Sequence, residues 1–430
     1  MSADLSTQLL SPSAFSRLIV QEPSLYIGHM LQRHTLDSHL PSRRNPLTAL
    51  LPVMVAVFIA FLTIGFALPV LPLHLHHDLG LSMFMVGLVT GSQFAAAIIS
   101  RVWAGNFADT RGAKQAVVIG LLTAVASGLL YLMSLAFTRT PIAVSMLLLA
   151  RALLGGAESF IITGAVTWGL VLLGQENAGR VIAWMGMAMF AAFALGAALG
   201  TSLYDRGGFF AVALATTLVP LVTLLLVAPL AAVSRTRRAG RPALMRVVRA
   251  VWMPGVGSAL SSIGFGAVLA FSALLAKERG WEPVWLPFGA FAAALVSARA
   301  LLGHVPDTLG GAKVALVSVV IEAVGLALIW SAAGAPVAAI GAALTGFGYA
   351  LVYPGLGVEA VRRAPPESRG LAMGAYTVFL DVALGFGTPV QGLIGGWAGL
   401  GAIFLASALA VLAGSVLAAR LISAPPAEKG

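Results

Sequence analysis

Long apolar runs separated by short polar loops dominate this chain. Twelve of them approach the roughly 20 residues that about 30 Å of hydrocarbon requires. Six lie at 48–73, 81–104, 115–137, 142–172, 180–204 and 209–233. Six more lie at 252–276, 284–303, 313–333, 336–360, 371–397 and 399–421. The pattern predicts an all-α membrane protein with 12 transmembrane helices. Around them fall a tail at 1–46, expected to be disordered and cytoplasmic, and a cytoplasmic linker at 234–250. One six-helix bundle is expected over 47–233 and a second over 251–421, with a short tail at 422–430.

Two polar segments at the ends of apolar runs are copies of one pattern. Arg101-Val-Trp-Ala-Gly105-Asn-Phe-Ala-Asp109-Thr-Arg111-Gly112-Ala-Lys114 is echoed by Arg299-Ala-Leu-Leu-Gly303-His-Val-Pro-Asp307-Thr-Leu-Gly310-Gly-Ala-Lys313. They stand about half a chain apart. A duplicated hinge between spans implies two pseudo-twofold-related halves that can rock about a shared central site. That is the plan of a carrier working by alternating access.

Composition agrees, with 59% hydrophobic and 10% charged residues, where a soluble domain carries about a quarter charged. The absence of cysteine removes disulfides, thiol nucleophiles and cysteine-ligated metals. The net charge of +10 is a topology signal, because Lys and Arg mark cytoplasmic loops. With both termini inside, the inner loops hold Arg111, Lys114, Arg180, the Arg235–Arg249 stretch, Lys313, Arg362, Arg363 and Arg369, and Arg101, Arg299 and Arg420 sit at inner helix ends. The outer loops hold only Arg139, Arg206, Lys277 and Arg279. The basic excess therefore points to membrane lipid rather than nucleic acid. No secretory signal precedes Pro46, so a multi-pass protein of the cytoplasmic (inner) membrane is expected. In the linker, Leu244, Val247 and Val248 share a helical face beside Arg246 and Arg249, which predicts a segment lying along the inner surface.

Few acids fall inside apolar runs. A carboxylate at a helix centre costs about 3 kcal/mol even on a mild insertion scale, so each needs a reason. Glu158 lies one heptad after Arg151 on nearly the same helix face, about 10 Å along the axis. Low dielectric favours the neutral acid and a nearby cation favours the carboxylate, a balance suited to reversible proton carriage. A static buried ion pair is the alternative. Asp381 shares a stripe of small and polar residues with Thr377, Gly385 and Thr388, suiting a cavity wall or a bond to a neighbouring helix. Glu359 has Arg362 and Arg363 at helical spacing, which reads as a surface pair. Gln93, Trp184, Tyr349, Tyr353 and Tyr376 are further substrate-cavity candidates, since Tyr and Trp offer stacking faces with a donor. A cluster of His74, His76, His77 and Asp78 lies at an outer loop with no other ligand in reach, so no metal is assigned.

Gly105-Asn-Phe-Ala-Asp109-Thr-Arg111-Gly112-Ala-Lys114 is similar to the signature between helices 2 and 3 of the major facilitator superfamily. Thr110 and Ala113 stand where that signature has basic residues. Arg151-Ala-Leu-Leu-Gly155-Gly156-Ala157 matches a second pattern of the superfamily in helix 4. A third, an exporter pattern in helix 5, is met by Gly186, Gly196 and Gly200, but Ala198 and Thr201 occupy the place of a proline. The resemblance covers nearly everything after residue 46, and within the superfamily it is nearest to poorly characterised bacterial sugar- or drug-efflux-like carriers. It implies that Gly105, Asp109, Arg111, Gly112 and Lys114, with Asp307 in the second copy, form a conformational latch bridging to the start of helix 11 near Gly370. It also implies that helix 9 supports the cavity helices from outside, which makes Glu322, with Ser318 and Gly325 on its face, a helix-packing residue. Monomers are usual in this family.

The resulting expectation is a secondary transporter of a small organic solute, driven by a proton gradient and using no cofactor. Export is favoured on the resemblance alone. A proton-symporting importer or a uniporter is the nearest alternative, and a transport-dead sensor or membrane-embedded enzyme a more remote one. Against an enzyme stand the lack of Cys, of a mid-membrane His, and of any nucleophile-base-orienter set. The chain carries no Gly-x-x-x-x-Gly-Lys-Ser/Thr loop for ATP.

Overall fold

A computed structural model describes residues 46–137, 140–174, 177–232, 244–364 and 369–423. The expectations for the N-terminal tail, the basic stretch before Leu244 and the C-terminal tail concern residues outside these. The first half comprises α1 (Pro46–Leu73, extended by a π-helical turn His74–Asp78), α2 (Met83–Arg111), α3 (Ala113–Ser134) and α4 (Thr140–Leu173). The continuous stretch Ala178–Val227 follows. It is two helices, α5 (178–206) and α6 (209–227), because Gly207 and Gly208 leave helical geometry and Gly208 takes a φ of 61°. The second half comprises α7 (Leu244–Glu278), α8 (Leu286–Leu302), α9 (Gly311–Ser331), α10 (Ala335–Arg363), α11 (Arg369–Ala398) and α12 (Leu400–Ser423). A single helical turn, Val305–Leu309, joins α8 to α9.

Ten helical stretches among the described residues are long and apolar enough to cross a membrane, and Arg180–Val227 is one of them. Its division into α5 and α6, together with the 17-residue α8, gives the twelve spans. Several helices run past their apolar stretches. The helix α2 continues through the polar segment to Arg111, so Arg101 lies roughly 15 Å inside the helix end. Sequence had placed it at that end. Likewise α7 starts at Leu244, with Val247 and Val251 buried. The amphipathic linker segment is thus the first turns of a span, not a separate surface helix.

Helix pairing repeats between halves. In the first, α2 and α3 pack on α4, and α3 packs on the 178–227 pair. In the second, α8 and α9 pack on α10, and α9 on α12. The two copies of the polar segment also share a backbone shape. Gly112 (φ 116°, ψ 150°) ends α2 and starts α3, and Gly310 (φ 93°, ψ 128°) precedes α9. Both positions lie in the region where a side chain is strained. The halves meet through corresponding helices, α2 with α11 and α5 with α8.

Candidate functional site

Close helix approach builds the first half's polar site. A Cβ on Gly155 of α4 would stand 1.9 Å from the carbonyl oxygen of Gln93 on α2, so only glycine lets these backbones meet. That contact brings the next turn of α4 against α2. Gln93 Nε2 donates to Glu158 Oε2 at 2.7 Å, and Arg101 Nη2 lies 3.9 Å from Glu158 Oε1. Ser100 donates to Ser159 Oγ at 2.9 Å beside them.

Arg101 then reaches across to the second half. Its Nε donates to Asp381 Oδ2 at 2.5 Å and its Nη2 to Asp381 Oδ1 at 2.9 Å. This fork geometry is the strong form of the ion pair. Asp381 is fully buried on α11, while the Arg101 side chain keeps 23% of its exposure. One guanidinium therefore compensates two membrane-embedded carboxylates from opposite halves. Toward the far ends of α2 and α11 the seam tightens. A Cβ on Gly87 or on Gly392 would clash with the backbones of Thr388 or Met83, and Thr388 Oγ1 donates to Gly87 O at 3.0 Å.

The corresponding places in the second half are aromatic. The same residue offset that relates Gly112 to Gly310 relates Arg101 to Arg299 and Gln93 to Phe291. Gly346 approaches Phe291 as Gly155 approaches Gln93, its Cβ position lying 2.1 Å from the Phe291 carbonyl. One turn on, Tyr349 stands where α4 has Glu158. Phe265 stacks between Phe291 and Tyr349, with ring centres 5.4 and 5.1 Å away. Across the boundary, Phe190 of α5 takes the place that Asp381 holds on α11. The Arg299 guanidinium lies 5.4 Å from the Phe190 ring centre, and its Nη2 donates to Ala350 O at 3.5 Å.

Other sequence candidates fall around this layer. Arg151 is buried on α4 and donates to Thr90 O at 3.2 Å. Its Nε and Nη1 have no hydrogen-bond partner among the described residues. Glu158 thus bonds to Gln93 and pairs with Arg101 rather than with Arg151, because the close α2–α4 approach places α2 side chains nearer than a residue two turns away. Tyr353 and Thr377 share a hydroxyl contact of 3.0 Å, and Tyr376 donates to Tyr353 O at 2.7 Å. Tyr353, Thr377 and Trp184 are half-buried, whereas Gln93, Tyr349 and Tyr376 are fully buried in this conformation and present no surface to a cavity.

Among the latch residues, Lys114 donates to Ala228 O and Leu230 O, both at 2.7 Å. It caps the C-terminus of α6 within its own half. A lysine near helix C-terminal carbonyls satisfies unpaired acceptors and the helix dipole. Gly105 lies in α2 with open space beside it. Asp109 is half-buried, and Arg111 and Asp307 are exposed. The segment 365–368 leading to α11 lies outside the described residues, so the expected bridge near Gly370 does too.

The remaining acids differ in their settings. Glu322 is fully buried and accepts from Ser261 of α7 at 2.5 Å. It is a helix-packing contact, with Ser261 on another helix as its partner. Glu359 pairs with Arg362 and Arg363 at 3.6 and 3.8 Å, but it is buried rather than on the surface. The reason is that α10 packs on α9 and α7 along its length. His74 contacts Asp78 at 2.7 Å and stacks on Phe209, and Tyr204 donates to the same Asp78 oxygen. A cavity of about 700 Å³ opens beside them, lined by His77, Asp78, Tyr204, Asp205, Lys277 and Glu282 among others.

Sequence reasoning missed that Arg101 and Arg299 make the contacts to the opposite half. Both were read as topology markers at helix ends. Their matching places in the duplicated segment were the available signal.

A sequence model of the Major Facilitator Superfamily matches residues 53–311 and 285–430. The chain is 42% identical over 366 residues to the MFS-type transporter STM4428 of Salmonella typhimurium, covering 85% of this chain and 94% of that one. It is 38% identical over 371 residues to the MFS-type transporter YhhS of Escherichia coli K12, covering 86% and 91%. Among solved structures, the nucleoside transporter NupG (D323A mutant) aligns with TM-score 0.69 at 14% identity, over 87% of this chain and 99% of that one. The human organic anion transporter MFSD10 (TETRAN) aligns with TM-score 0.64 at 17% identity, over 87% and 100%. With family match, close relatives and twelve-helix fold in agreement, this chain belongs to the Major Facilitator Superfamily and is a transporter of small solutes.

Proposed function

We propose that this transporter is proton-coupled, that it works by alternating access in the cytoplasmic membrane as a monomer with both termini inside, and that Arg101, Glu158 and Asp381 are its coupling element. The observation that carries the reading is the forked Arg101–Asp381 bond between halves, with Glu158 sharing the same cation. A proton on Asp381 removes the charge that binds α11 to α2, and Arg101 is left to Glu158 within its own half. A proton on Glu158 has the opposite effect and leaves Arg101 wholly to Asp381. Proton occupancy therefore selects whether the halves are held together, which is the differential interaction a coupled conformational change needs. We place the flux outward, on the resemblance to efflux-like carriers.

The test is transport by protein reconstituted into vesicles with an imposed pH gradient, loaded with a solute found by screening. Wild-type protein should accumulate solute against its gradient and move protons in return. Glu158→Gln and Asp381→Asn should exchange solute without gradient-driven accumulation. Accumulation indifferent to pH in the wild type would sink the proposal. Movement of solute and protons in the same direction would establish symport and reverse the assigned direction.

A further inference from the structure

The two halves treat their matching arginines differently. Arg101 has two carboxylates, but among the described residues Arg299 has no carboxylate partner. Tyr349 and Phe190 stand where Glu158 and Asp381 would balance it. A guanidinium carries five donors, and this one makes a single long contact, to Ala350 O at 3.5 Å, besides lying over the Phe190 ring. A charge inside a span without a counterion is expensive, and a ring face supplies only part of what a carboxylate would.

Its neighbours come from both halves. Gly186 of α5 packs beside it, with a Cβ position 3.5 Å from Nη1, in ordinary contact. The hydroxyls of Tyr349, Tyr353 and Tyr376 are its electrostatic neighbours. Arg299, Gly186, Tyr353 and Thr377 all retain partial exposure. A planar cation beside phenols and ring faces fits a planar anion attached to an apolar body.

We infer that Arg299 is the substrate's counterion, and that the transported solute is a small organic carboxylate with an aromatic or otherwise apolar body. The carboxylate plays beside Arg299 the part of counterion that Glu158 and Asp381 play beside Arg101. Its body lies along Phe190 and Tyr353. Both halves contribute to this site, α5 from the first and α8, α10 and α11 from the second. Filling it therefore changes the contact that alternates during transport. The inference rests on the alternating-access reading but not on proton coupling.

Equilibrium binding to the purified full-length protein in detergent, at one fixed pH, tests it without any gradient. The probes are two charge series on constant frames: phenylacetate, phenylacetamide and phenethylamine, then indole-3-acetate, indole-3-acetamide and tryptamine. Isothermal titration and ligand-induced thermal stabilisation should show binding of the acids, with amides and amines weaker by roughly ten- to a hundredfold, the loss expected for a charged hydrogen bond. Arg299→Gln should abolish this preference for the anion, and Arg299→Lys should keep charge selectivity at reduced affinity. Amides or amines that bind as well as the acids, or no binding of either acid, would overturn the inference. So would an Arg299→Gln protein that still prefers the acid. Should Arg299→Gln fail to fold, the wild-type series and Arg299→Lys decide. Loss of proton coupling in the vesicle assay would leave this result untouched, which keeps the two readings separable.

Discussion

Asp381 of α11 accepts two hydrogen bonds from Arg101 of α2, at 2.5 and 2.9 Å, and this charged link joins the two halves below the tight Gly87–Thr388 seam. Removing one member of a buried ion pair typically costs about 3–5 kcal/mol. Arg101 keeps some exposure and retains Glu158 nearby, so a smaller share is expected here, enough for a roughly tenfold population shift. Asp381→Asn should therefore increase the fraction of molecules with α2 and α11 parted at their Arg111 and Arg369 ends. Spin labels at exposed Thr110 and Gly374 would report it as a longer-distance population. Acidification should change the same distance distribution in wild type, since a proton on Asp381 releases α11 and one on Glu158 tightens its hold, and should add little opening in the variant. A pH-independent distance distribution in the wild type would contradict this.

Adjacent glycines of α4 make a matched experiment. A Cβ on Gly155 would strike the Gln93 carbonyl, whereas Gly156 has nothing within 4 Å of the same position. Overpacking a tight contact costs about 1–3 kcal/mol, and here the obstacle is backbone, which yields poorly. Gly155→Ala should lower the thermal midpoint by several degrees and weaken transport, since Gln93, Glu158 and Arg101 move with the helices. Gly156→Ala should match the wild type in both. Equal effects at the two sites would mean that α2 and α4 do not approach as described.

The contrast between Gly155 and Arg101 shows what the sequence made legible. Apolar run length and the repeated Gly-Asp-Thr-Gly segment were enough for the twelve helices and the two halves, because burial in lipid acts on each span locally. Glu158 and Asp381 stood out because carboxylates in apolar runs are costly. Their common partner did not stand out. Arg101 sits where the apolar run fades, and only the continuation of α2 to Arg111 shows it to be interior. Spacing along α4 pointed to Arg151 as the partner of Glu158, since a single helix is all that spacing can reach. Which helix crosses which is decided by where backbones can touch, at Gly155, Gly87 and Gly392, and that is a property of pairs of segments far apart in the chain.

Lys114 gives a test inside one half. Its ammonium holds Ala228 O and Leu230 O, in the turn that follows α6. Lys114→Met keeps the side chain's apolar length and removes the charge and donors. Amide exchange over 228–232 should accelerate, while protection in α2 and α11 stays as in the wild type. A loss of protection reaching α11 would instead favour the cross-half latch that the sequence resemblance implies for this loop.

Glu322 separates packing from transport among the buried acids. It lies on α9 and takes a hydrogen bond from Ser261 of α7. No cation accompanies it among the described salt bridges. A glutamine can still accept from Ser261 and occupies nearly the same volume, so Glu322→Gln should retain stability and pH-driven accumulation close to wild type. Glu322→Ala should be the damaging change, because it leaves the Ser261 hydroxyl unsatisfied, at about 1–3 kcal/mol, and opens a void between α7 and α9. Glu158→Gln should show the opposite pattern, a folded protein of near-normal thermal midpoint that has lost accumulation. The comparison isolates the role of Arg101. Two buried carboxylates of the same type differ in function because one shares a cation with the opposite half and the other is tied only to its neighbour in the same bundle. Loss of accumulation in Glu322→Gln, with stability intact, would refute that distinction and move the proton path into the second half.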